Sequence, residues 1–76
     1  MSLPPLSWRD ILKALSKIDF VPVRQRGSHI VVQHKDGRFT VVPRHDPVDR
    51  GTLSGILEDV GLSKEEFAAL LKKKKL

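Results

Sequence analysis

Two turn signals, Gly27-Ser28 and Asp36-Gly37, cut the middle of the chain into three short strand-like runs: Phe20 to Arg26, His29 to His34 and Arg38 to Pro43. Strands joined by so few residues can only run antiparallel, because a parallel connection needs a crossover of about a dozen residues or more. The segment therefore reads as a three-stranded meander of two hairpins. Gly at the first central position predicts a type II′ turn at Gly27-Ser28, and Asp-Gly predicts a type I′ turn at Asp36-Gly37.

Two-residue turns fix the pairing register. Around the first, Arg26 faces His29, Gln25 faces Ile30, Arg24 faces Val31 and Val23 faces Val32. Around the second, His34 faces Phe39, Val32 faces Val41 and His29 faces Arg44. Directly opposed residues share a face of the sheet. One face then collects Val21, Val23, Ile30, Val32, Phe39 and Val41 for the core, with His34 closing its edge. The other collects Arg24, Arg26, His29, Gln33, Thr40 and Arg44.

Helices flank the meander. Ser7 with Asp10 makes an N-cap, and Trp8, Ile11, Leu12, Leu15 and Ile18 form an apolar stripe, which predicts a helix from Ser7 to about Lys17. After a polar loop, Arg44 to Arg50, a second stripe of Leu53, Ile56, Leu57 and Val60 ends at Gly61. Ser63 with Glu66 forms a capping box for a third helix running to about Leu71, where Leu62 can staple to Phe67. Met1 to Leu6 is a lead-in with the Pro4-Pro5 pair, and residues 72–76 are expected to be a disordered basic tail. The order predicts an α+β sandwich with helices covering one face of the sheet.

At 76 residues, 39% of them hydrophobic, the chain has room for one core, so residues 1–76 read as a single domain. Cys is absent, which excludes a disulfide framework and thiolate metal sites and fits a reducing cytoplasm. No apolar run reaches the ~20 residues a membrane span requires, so no membrane partner is expected. The net charge is +5, of which Lys72 to Lys75 carry four. The charge that bears on a site is central instead: residues 20–51 hold six Lys or Arg and all three His.

The register places His29 at a strand end between Arg26 and Arg44. Two arginines there can hold a phosphate and leave the imidazole free to move a proton. An exposed histidine with no role is an equal reading of the same pattern. Other chemistries lack their residues. The carboxylates form no set of the kind a two-metal nuclease requires, and there is no phosphate-binding P-loop, dinucleotide fingerprint or nucleophile elbow. Gly51-Thr52 could offer free N–H groups to an anion, but a plain helix start explains them as well.

Taken together, Gly27-Ser28-His29 at a hairpin, Val42-Pro43-Arg44-His45 closing the third strand, Arg50-Gly51-Thr52-Leu53, Ile56-Leu57, Gly61-Leu62-Ser63 and Glu66-Phe67 resemble the HicA toxins of bacterial HicAB toxin–antitoxin systems. The resemblance extends from about Ser7 to Leu71. It implies a double-stranded-RNA-binding-domain-like fold, an mRNA interferase activity in the cytoplasm, a catalytic role for His29 and a HicB antitoxin that covers the active site. With it, the residues read as a metal-independent endoribonuclease that needs no cofactor. His29 is the general base, and Arg24, Arg26, Ser28, Arg44 and His45 hold the RNA phosphates. The substrate is RNA and not DNA, because the ribose 2′-OH is the nucleophile. A non-catalytic RNA-binding module and a small protein-interaction domain are the alternatives.

Overall fold

Ser7 and Asp10 close a reciprocal box: the Asp10 amide donates to Ser7 Oγ at 3.3 Å, and the Ser7 amide donates to Asp10 Oδ2 at 3.2 Å. That box starts helix α1 (Trp8–Ser16), in a computed structural model that describes residues 3–72. Ile11, Ala14 and Leu15 are the buried face of α1. The helix ends where Asp19 takes a left-handed φ of 69°, and the Phe20 amide returns to the Leu15 carbonyl. This reversal delivers the buried Phe20 to the start of the sheet.

The sheet is an antiparallel meander of β1 (Val21–Arg26), β2 (His29–Gln33) and β3 (Phe39–Pro43), in that spatial order. At the first turn Arg26 lies opposite His29, as expected. Gly27 has φ 57° while Ser28 has none of the positive φ a type I′ turn would demand, the pattern of type II′. A Cβ on Gly27 would meet nothing within 4 Å, so glycine is there for its conformation and not for space. The pairs Gln25 with Ile30 and Arg24 with Val31 also follow the expected register. Beyond them a bulge intervenes, and Val32 faces Pro22 where Val23 was expected.

The second turn corrects the sequence reading. It is a three-residue loop, Lys35-Asp36-Gly37, closed by the His34 amide donating to the Arg38 carbonyl at 2.8 Å and the Gly37 amide to the His34 carbonyl at 2.9 Å. Only Gly37 has positive φ, so this is the turn-plus-bulge form and not type I′. Asp36 holds it by accepting from the Arg38 amide at 2.9 Å and from Arg38 Nε at 2.8 Å. The extra residue slips β3 by one, which exchanges its faces. Val32 faces Thr40, Val31 faces Val41 and His29 faces Pro43. Thr40 and Val42 are buried, whereas Val21, Val23, Phe39 and Val41, all expected in the core, are exposed. The buried Thr40 hydroxyl is satisfied by donating to Asp59 Oδ2 at 2.8 Å.

Helix α2 (Arg50–Val60) is capped by Asp49 and ends at Gly61 with φ 76°, and α3 (Lys64–Lys72) opens on the Ser63–Glu66 box. Leu53, Ile56, Leu57 and Val60 from α2 and Phe67 from α3 join Ile11, Leu15, Phe20, Val32 and Val42 in the core. Arg38 ties sheet to helix, donating to the Val60 carbonyl at 2.7 Å while its guanidinium lies 5.2 Å from the Phe20 ring centre. His34 closes the core edge as expected, 5.2 Å from the Phe20 ring. Lys72 is helical, in contrast to the expected tail, and 73–76 lie outside the described residues. Among the described residues no helix is long and apolar enough to cross a membrane.

Candidate nucleic-acid interface

Alternation along β2 leaves His29, Val31 and Gln33 on the face of the sheet away from the helices. The register arranges that open face in three rows: Arg26–His29–Pro43, Arg24–Val31–Val41 and Val21–Gln33–Phe39. The first row carries the chemistry. His29 and Arg26 are direct cross-strand partners and both are exposed. Among the described hydrogen bonds and ion pairs, none engages the His29 side chain.

Arg44 is not where the two-residue turn would put it. Pro43 takes the place opposite His29, and the Arg44 amide donates instead to the Ser28 carbonyl at 2.6 Å. The Arg44 guanidinium carbon lies 4.9 Å from the centre of the Trp8 ring, and that of Arg9 lies 5.0 Å from the same centre. The Trp8 amide donates to the His45 carbonyl at 3.1 Å, which fastens the start of α1 to the residue after Arg44. Trp8, at the first position of its helix, is half-buried and packs against the edge of the core, as its stripe suggested. Sequence reasoning passed over Trp8 and Arg9, because their neighbour Arg44 reaches them only through the fold. A tryptophan at the exposed end of an amphipathic stripe was the available signal.

The described ion pairs both involve Asp36, so among the described residues no carboxylate lies within 4 Å of the Arg9, Arg24, Arg26 or Arg44 guanidinium. The basic strip is thus open to an external anion. Lys35 belongs to the turn at the far end of the hairpin. His45 is exposed in the loop before α2. The α2 start is not available to an anion, since Asp49 Oδ2 accepts from the Thr52 hydroxyl at 2.7 Å and from its amide at 2.9 Å. Those two bonds, hydroxyl first, hold the Asp49 carboxyl below its ordinary range. No group of three His, Asp or Glu able to hold a metal occurs among the described residues.

The other two rows differ in character. Val21 and Val23 are each about half exposed, at 51% and 52%, Phe39 at 59% and Val41 at 37%. Together with Val31 they make an apolar surface beside the basic row, of the kind that marks an interaction site.

No curated protein matches the chain. The family model described as the HicA toxin of bacterial toxin–antitoxin systems matches residues 8–62, from the first residue of α1 to just beyond the end of α2. The match takes in the whole sheet and every residue of the basic strip, and leaves α3 outside. Since it spans well over half of the sequence, the chain belongs to the HicA family of bacterial toxins.

Proposed function

We propose that this toxin is a metal-independent endoribonuclease acting on mRNA in the cytoplasm, with His29 as general base. The observation that carries the reading is the pairing of an exposed, unbonded His29 with Arg26 at the end of the open sheet face, beside the Ser28–Arg44 backbone link. His29 takes the proton of a ribose 2′-OH, and the 2′-oxygen attacks the adjacent phosphorus. The bond to the 5′-oxygen breaks, and that oxygen leaves with a proton from solvent. The products are a 2′,3′-cyclic phosphate and a 5′-hydroxyl. Arg26, with Ser28 alongside, stabilises charge on the phosphoryl oxygens, while Arg24, Arg44 and His45 hold flanking phosphates.

The test is incubation of the purified protein with a single-stranded RNA in EDTA, wild type beside His29→Ala. Cleavage that leaves cyclic phosphate ends and disappears in the variant supports the scheme. Cleavage that requires Mg²⁺, or that persists without His29, refutes it.

Family membership implies an antitoxin partner. The exposed Val21, Val23, Phe39 and Val41 support docking of a HicB-type antitoxin on the open sheet face. Bound there, it would cover His29 and shut off the activity. An apolar patch of this kind is better suited to a protein than to a polyanion, which gives the protein-interaction reading a place within the toxin reading.

A further inference from the structure

We infer that Arg9, Trp8 and Arg44 form a second RNA-phosphate subsite, which carries the substrate strand off the sheet and onto the start of α1. The inference rests on the reading of the chain as an RNA-cleaving toxin and extends its substrate site to two residues outside the hairpin. Both guanidinia lie about 5 Å from one indole centre, so they are no farther apart than the sum of those two distances. Two like charges held against one ring, with no described carboxylate within 4 Å of either, leave both guanidinia open to the phosphates of a strand.

The ring does more than fill space. A guanidinium stacked on an aromatic face loses its freedom before the ligand arrives, so less is lost on binding. Trp8 is therefore a positioning residue for both arginines. Its amide bond to the His45 carbonyl and the Arg44 amide bond to the Ser28 carbonyl connect this subsite to the His29 turn through backbone alone. The nearest acid on α1, Asp10, is engaged in the cap with Ser7. A strand held at Arg26 and His29 thus has a continuous basic path over Arg44 to Arg9.

The experiment measures binding of a fluorescent single-stranded RNA oligonucleotide over a range of salt, in a His29→Ala background that prevents cleavage. Arg9→Gln is expected to weaken binding about 5-fold near 0.1 M salt and to lower the slope of log K against log salt by about 0.7, the share of one phosphate contact. Lys13→Gln, which removes an equal charge one turn along the same helix, is expected to match the parent. Trp8→Phe keeps the parental slope, and Trp8→Leu loses as much as Arg44→Gln with no further loss when the two are combined. Arg9 is exposed, so its variant decides the matter even if Trp8→Leu fails to fold. A parental slope in Arg9→Gln overturns this inference and leaves the proposed activity standing. So does an Arg9→Gln that impairs antitoxin binding alone. A parent that binds no RNA overturns both.

Discussion

His29 and Pro43 face each other across the last rung of the β2–β3 ladder. In the alternation set by the His34–Arg38 and Ser28–Arg44 bonds this is a non-hydrogen-bonded pair, so the amide hydrogen that proline lacks would have pointed to the outer edge of β3 and the ladder loses nothing by it. The exposed edge position of β3 tolerates this. The result is a histidine at the end of a central strand, with Arg26 on one side and an apolar ring on the other.

The register makes neighbouring residues of β3 unequal. Val42→Ala opens a cavity in the core and is expected to cost about 2 kcal/mol, while Val41→Ala, on the open face, is expected to stay within ~0.5 kcal/mol. Chemical denaturation of both variants measures the difference. The reverse ranking would restore the two-residue turn.

His29→Ala is expected to leave stability within ~0.5 kcal/mol of wild type and to lower the cleavage rate by about 10²- to 10⁴-fold, the usual share of one proton-transfer group. Leu57→Ala or Ile11→Ala, at buried positions, is expected to cost ~2 to 5 kcal/mol. Parallel unfolding and RNA cleavage assays separate the two classes. An unfolded His29→Ala would make the histidine structural.

Phe39→Ser combined with Val21→Ser is expected to weaken antitoxin binding about tenfold or more, since exposed apolar anchors dominate such contacts. RNA cleavage by the free toxin is expected to persist. Titration calorimetry with the antitoxin and a cleavage assay check the two halves.

Acid should loosen the start of α2 and the second turn. The Thr52 hydroxyl and amide hold the Asp49 carboxyl below its ordinary range, and the Arg38 amide, assisted by its guanidinium, does the same for Asp36. A carboxyl depressed in the folded chain contributes stability that is present above its unfolded pKa, ordinarily 3.8, and is lost as the pH falls below that value through the folded one. Tm is therefore expected to drop as the pH falls through 4 and below, and to drop less in Asp49→Asn, which keeps a cap without a titrating group. Thermal scans across that range check the sign.

The sequence by itself determined the elements whose signals are local. Ser7 with Asp10, Ser63 with Glu66, and Gly61 fix helix ends through bonds that span only a few residues, and Gly27 sets the first turn because few other residues adopt its φ. Arg26 beside His29 was legible for the same reason, being set by that turn alone. Only the tertiary structure decided the rest. Asp36-Gly37 is compatible with a loop of two residues or three, and the choice is bound up with Arg38, which Asp36 holds on one side and the Val60 carbonyl engages from α2. Because side chains alternate along a strand, that one residue turned Val41 and Phe39 outward, buried Thr40, and moved Arg44 from beside His29 to the ring of Trp8. Local chemistry specifies caps and tight turns; a register with two locally acceptable answers is settled by which one buries its side chains against distant helices.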